Sequence, residues 1–300
     1  MPRPTHFLDI ALCLGILVAI TLPGVPARAL PNGIEDRDER YPFVVEIAQR
    51  GRMICSGTVL YPRVVVTSAH CVQHVATALG KRIYVDSYLQ PEELFVHVFK
   101  QGRMRSYAVE AVKVAPEWRQ NDTSQWRTAR LPHDMAILVT AAPIDVELPL
   151  GEVNAMGPSL PRPATTGPGR QGVLVAYGGL SCVAAEDCSN AGVRRYLPVK
   201  IKDAAECFKS RLDREAGLHE TLWCMDENVS PGDSGGALLI EDDDEVLRYV
   251  GVISAQRGLP PELAAVFGRR ESAATALSAN LPFIEETARS LGYGPTSSDP

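Results

Sequence analysis

Apolar positions in this chain fall in short runs, not in long helical stripes. "YPFVVEIAQ", "MICSGTVL", "RVVVTSA", "KRIYVDSYL", "LFVHVFK", "YAVEAVKVA", "MAILVT", "QGVLVAYG", "GALLI" and "LRYVGVIS" are rich in Val and Ile and bounded by turn residues. That pattern predicts many short strands and an all-β sandwich or barrels. Helical spacing stands out only in "LPFIEETARSLGY", where Phe283, Ile284, Thr287, Ala288 and Leu291 share one face. A stretch dense in Pro and Gly, Met156 to Gly172, separates two groups of strands and predicts a linker. The expected organisation is a leader over 1–29, a first unit over 30–155 and a second over 156–300 with a loose tail.

The leader expectation rests on composition. Arg3 precedes an apolar core from Ile10 to Leu22, and Ala27-Arg28-Ala29 follows as a small-x-small cleavage site. The core is short for a membrane span, and Leu12 before Cys13 is too bulky for the usual lipid-attachment signal. Export to a periplasm or the cell exterior is expected, without a stable membrane anchor after processing.

Export changes the reading of the cysteines. Beyond the leader stand Cys55, Cys71, Cys182, Cys188, Cys207 and Cys224, an even set that favours disulfides and leaves their pairing open. A metal reading of His70, Cys71 and His74 has no second ligand pair at zinc spacing. The acidic run Glu241 to Glu245 lies between two strands and reads as a solvated hairpin tip instead of a calcium site. A formal charge of −6 gives no basic face for nucleic acid or an anionic membrane.

The candidate chemistry begins with "ENVSPGDSGGALLI", Glu227 to Ile240. Glycines around an Asp-Ser pair serve a plain turn, or they let the amides of Gly232 and Ser234 converge on a developing oxyanion beside the Ser234 hydroxyl. A nucleophile needs a base and an orienter for that base. "VVVTSAHC" ends a strong strand with His70, and "LPHDMAIL" presents Asp134 before another.

With "TSAHC", "HDMAIL" and "GDSGG" in that order, the chain resembles trypsin/chymotrypsin-type serine proteases over nearly everything after residue 29. The resemblance implies two packed antiparallel β-barrels, chymotrypsin-like, with a C-terminal α-helix. It implies Ser234 as nucleophile, His70 as base and then acid, and Asp134 as the group that orients the imidazole. Gly232 and Ser234 supply the oxyanion hole, Ser254 bonds the triad Asp, and Tyr177-Gly178 stands where Trp-Gly is usual. Disulfides Cys55–Cys71 and Cys207–Cys224 follow the family's pattern, leaving Cys182–Cys188 as a local loop. No cofactor or metal is implied. Partners are protein or peptide substrates, with a protein inhibitor as a further kind of partner. A relative that keeps the fold only as a binding module, or a regulatory protease working with partner proteins, are the alternative readings; no triad position is replaced here.

Departures from the pattern matter. Ser230 stands where many relatives carry a pocket-wall cysteine, Arg119 to Pro132 reads as an insertion, and "AAVFGRR" and "ESAATALSAN" compete for one family strand. At the pocket, Asn228 occupies the floor position and Gln256 the mouth, with Ser254 beside it. A neutral floor lacks the charge-assisted pairing that buries Lys or Arg, so small or medium uncharged side chains are expected before the scissile bond. The resemblance also implies an activating ion pair between a freed α-amino group on Leu30 and Asp233, created by removal of residues 1–29.

Overall fold

Most of the apolar runs fold as strands because they are buried on one or both faces. The computed structural model describes residues 30, 32–78, 81–120, 133–148, 162–163, 166, 168–178, 193–241, 247–257 and 271–293, with the side chains at 76–84, 86, 119–120, 212 and 256–257 left aside. In chain order the strands are β1 (Ile34–Glu35), β2 (Val44–Gln49), β3 (Arg52–Tyr61), β4 (Val64–Thr67), β5 (Gln73–Ala78), β6 (Lys81–Tyr88), β7 (Leu94–Lys100) and β8 (Arg103–Val114). They continue with β9 (Ala136–Thr140), β10 (Gln171–Ala176), β11 (Arg195–Lys200), β12 (Leu222–Met225), β13 (Ala237–Glu241), β14 (Leu247–Arg257) and β15 (Glu271–Ala276).

Six of these close an antiparallel barrel in the order β2-β3-β4-β9-β8-β7, while β5 and β6 form a separate hairpin. A second sheet runs β1-β11-β10-β13-β14-β15-β12. It curls until its ends meet: Ile201 just after β11 bridges Met225 of β12, and the Lys202 amide donates to the Cys224 carbonyl at 2.9 Å. The chymotrypsin-like fold expected from the sequence is the fold observed.

Period-2 alternation partitions the second sheet between two cores. Leu174, Ala176, Leu238 and Ile240 point into its own interior with Leu30, Trp223 and Ile253. Their alternating neighbours Val175, Tyr177, Ala237 and Leu239 join the apolar cluster of the first barrel. Both faces of β10 and β13 are therefore buried, which is why their sequences read as continuous apolar runs. The final helix completes that shared core. It spans Leu281–Ser290 and buries Ile284, Thr287 and Ala288, three of the face positions expected for it.

Five strands escape the sequence pattern, β1, β5, β11, β12 and β15. β11 carries Pro198, tolerated because on the edge facing β1 it falls between the β1 pairing at Arg195 and Tyr196 and the contact of Lys200 with Asp226, where no described strand pairs with it. β15 is "ESAATA", poor in β-formers and held by pairing to β14 and β12 on either side. It places "ESAATALSAN" in the contested strand, while "AAVFGRR" lies outside the described residues. So do the leader, Cys182 and Cys188, residues 121–132, and most of the linker and acidic tip. Short helices missed by the periodicity include Ala204–Cys207, Arg211–Glu215 and Leu218–Thr221. Among the described residues no helix is long and apolar enough to cross a membrane.

Candidate active site

His70 and Asp134 meet because β4 and β9 are antiparallel neighbours, with Thr67 opposite Ala136. His70 therefore leaves the end of β4, in the single turn Ala69–Cys71, beside the residues that lead into β9. The His70 amide donates to Asp134 Oδ1 at 2.9 Å, and His70 Nδ1 lies 2.7 Å from Asp134 Oδ2. A carboxylate only accepts, so Nδ1 carries the proton toward it, and in the neutral ring Nε2 is then the acceptor. Asp134 is 1% exposed, and the Ser254 hydroxyl donates to its Oδ2 at 2.5 Å.

Ser254 reaches Asp134 through a bulge. The β14–β15 pairing slips between Ile253 and Ala255, so Ser254 is the unpaired extra residue whose side chain is re-aimed. The Ile253 carbonyl beside it accepts from the Gly235 amide at 2.7 Å and from the Ser68 hydroxyl at 2.8 Å. One carbonyl thus ties the residue after Ser234 to the segment carrying His70.

The turn holding Ser234 is shaped by glycines, through positive φ or through lack of room for a side chain. Gly232 has φ +90° and Gly235 φ +86°. A Cβ on Gly235 would lie 2.0 Å from the Ser56 carbonyl oxygen, and one on Gly236 would lie 2.4 Å from that of Val175. The Asp233 amide donates to Ser230 and the Gly235 amide to Ile253. Among the described residues, the Gly232 and Ser234 amides have no acceptor.

The Cys55–Cys71 disulfide, with Cα atoms 6.0 Å apart, staples β3 to the histidine turn. The Cys71 sulfur lies 3.9 Å from His70 Nε2 and 3.8 Å from the Ser234 carbonyl oxygen, so it neighbours both. Bonded to Cys55, that sulfur is not a thiolate, which removes the ligand on which the metal reading of His70, Cys71 and His74 relied. Cys207–Cys224 also forms, Cα atoms 6.5 Å apart; the Cys182–Cys188 expectation lies outside the described residues.

Asp233 meets the second core at Leu30. It is fully buried and accepts from the Ser230 amide at 2.6 Å and the Leu30 nitrogen at 3.1 Å. Burial pushes its carboxyl up to about 7, against the pull of the Ser230, Leu30 and Gly178 amides. Gly178 must be glycine, because a Cβ there would lie 2.2 Å from Asp233 Oδ1.

At the expected pocket, Asn228 is 8% exposed and its Oδ1 accepts from the Glu271 amide at 3.3 Å. The backbone of Gln256 pairs with Ser272 in β15. Sequence reasoning did not single out Ser56, Ser68 or Thr67. The available signal was a hydroxyl inside an apolar strand, where burial demands a hydrogen-bond partner.

Two barrels with a Ser, His and Asp brought to their junction define a chymotrypsin-like serine hydrolase architecture. The trypsin family profile matches residues 30–267, and the chain belongs to the trypsin family. It is similar to trypsin alpha-4 of Lucilia cuprina, 23% identical over 226 residues that make up 74% of this chain and 75% of that one. Trypsin epsilon of Drosophila erecta is 23% identical over 257 residues, 82% of this chain and 88% of its own. Azurocidin of Homo sapiens matches a shorter stretch, 30% over 69 residues, 23% of this chain and 28% of its own.

Proposed function

We propose that this protein is an exported serine endopeptidase working through Ser234, His70 and Asp134. The observation that carries the reading is the array Ser254 Oγ, Asp134 and His70 Nδ1, which leaves His70 Nε2 as a base next to the turn of Ser234. Ser234 Oγ attacks the scissile carbonyl carbon as Nε2 takes its proton. The oxyanion that forms accepts from the uncommitted Gly232 and Ser234 amides. Collapse breaks the C–N bond, with the proton on Nε2 passing to the leaving amine. Water then repeats the sequence against the acyl-enzyme.

Activation belongs to the same reading. In the unprocessed chain residue 30 offers Asp233 a neutral amide, and Leu30 sits at φ +41°, a left-handed conformation uncommon for leucine. Cleavage after Ala29 abolishes that torsion and replaces the amide by an ammonium beside a buried carboxylate. Leu30 is itself fully buried in the second core. A family match that begins at residue 30 supports the same boundary. Removal of the leader alone then generates the active form, and the two disulfides suit the oxidising compartment it enters.

The test is labelling of the purified exported protein with a fluorophosphonate, alongside Ser234→Ala, with N-terminal sequencing of the labelled species. Stoichiometric labelling of a chain starting at Leu30, absent from Ser234→Ala, is expected. An unlabelled wild type overturns the enzyme reading, and a labelled chain with residues before Leu30 overturns the activation step.

A further inference from the structure

Ser56 hydrogen-bonds to none of the three proposed triad side chains, yet all its polar groups are committed around them. Its amide donates to the Ser234 carbonyl at 2.8 Å. Its carbonyl accepts from the Thr67 hydroxyl at 2.8 Å. Its own hydroxyl accepts from the Tyr177 amide at 2.9 Å and donates to the Gly232 carbonyl at 2.9 Å. The Tyr177 N–H can only donate, so the single hydroxyl proton must go to Gly232.

The peptide plane between Gly232 and Asp233 lies between the two planes whose amides form the proposed hole. It has two anchors, the Asp233 amide on the Ser230 carbonyl and the Gly232 carbonyl on Ser56 Oγ. Glycine at φ +90° resists rotation poorly, so the plane's direction depends on those anchors. Tyr177 is a firm post for the other side. It is fully buried, its hydroxyl accepts from Arg194 Nη1 at 3.1 Å, and its ring packs 5.6 Å from that of Phe99.

We infer that Ser56 is a positioning residue of the oxyanion hole, its hydroxyl bridging Tyr177 N and Gly232 O so that the Gly232 and Ser234 amides aim at one point. This rests on the reading of Ser234 as nucleophile. Its consequence falls on acylation rather than on substrate binding, because the carbonyl oxygen needs the donors most when it carries charge.

The experiment is burst kinetics with p-nitrophenyl acetate on the exported protein, in wild type, Ser56→Ala and Ser56→Gly, with urea unfolding midpoints measured beside them. The acetyl group needs no specificity pocket. For Ser56→Ala the acylation constant is expected to fall on the order of 10–10²-fold with the ester's binding constant unchanged. Ser56→Gly opens space for a water with the same two partners, so it is expected to acylate faster than the alanine form. A packing role predicts the reverse order, since glycine removes more volume. If the alanine form does not fold, Ser56→Thr replaces it as the hydroxyl-bearing comparison and is expected to acylate faster than Ser56→Gly. Wild-type acylation in Ser56→Ala, or a glycine form at or below alanine or at or above threonine, overturns the inference. A wild type without a burst overturns the protease reading itself, and with it this one.

Discussion

The backbone nitrogen of Leu30 lies 3.1 Å from Oδ2 of Asp233, a residue 203 positions further along the chain. While residue 29 remains attached, that carboxylate is buried among amides, with Arg195 a weaker influence, and burial pushes its pKa up to about 7 from an ordinary 3.8. A folded-state pKa raised above the unfolded one makes a contribution that is fully present below the unfolded value and is lost as pH rises through the folded value. The unprocessed chain, refolded with residues 1–29 still attached, should therefore lose stability between about pH 4 and pH 7 through this group. Urea unfolding across that range checks it. Asp233→Asn should flatten the dependence, and an unchanged slope in that variant would remove Asp233 as its source.

Removal of either side chain proposed to react should abolish turnover without unfolding the protein. Ser234→Ala and His70→Ala are each expected to lower kcat on the order of 10⁴-fold or more. Neither side chain lies in a core cluster, so circular dichroism and the urea midpoint should stay near wild type. Peptide hydrolysis by the purified variants, followed by mass spectrometry, gives the ratio.

Cleavage of a peptide library should favour small or medium uncharged residues before the scissile bond. Asn228 brings no charge to the proposed pocket floor, and its carbonyl oxygen is already engaged by the Glu271 amide. An ammonium or guanidinium buried there would lack a carboxylate partner from this residue. Dominant cleavage after Lys or Arg would show that another acidic group serves the pocket.

Arg194 and Asp36 form a buried ion pair, Nε to Oδ2 2.6 Å, with side chains 5% and 0% exposed. Asp36 also accepts from the amides of Arg40 and Tyr41 at 2.9 and 3.1 Å, so the pair ties the N-terminal segment to Tyr177. Arg194→Ala leaves a buried carboxylate without its cation and should cost about 3–5 kcal/mol of stability. Truncating both partners should cost less than the sum of the single changes. Denaturant titration of the double-mutant cycle measures the coupling, and additive losses would show that the pair is not coupled.

Much of the strand inventory was legible because β4, β9 and β13 bury apolar residues at nearly every position and β2, β3 and β10 at half of theirs or more. The strands that were not legible are held by their neighbours. Ala273 and Ala274 of β15 have little strand preference of their own, and pairing to Cys224 and Trp223 of β12 keeps them extended. The short helices after Asp203 carry too few turns to establish a 3.6-residue period.

The sequence by itself determined which groups are chemically available: Ser234 between glycines, His70 at a strand end, Asp134 before another strand, and Asp233 next to the proposed nucleophile. Residue type and order carry that information, because glycine permits the backbone and the side chains carry the reactive atoms. Only the tertiary structure decided the partners. The bulge that frees Ser254, the Ser56 bridge from Tyr177 to Gly232, and the contact of Leu30 with Asp233 each depend on strand register and on which buried donor finds which acceptor. Period-2 alternation specifies the face a residue occupies and is silent on its hydrogen-bond partner across the sheet; closing the two barrels against each other supplies that choice.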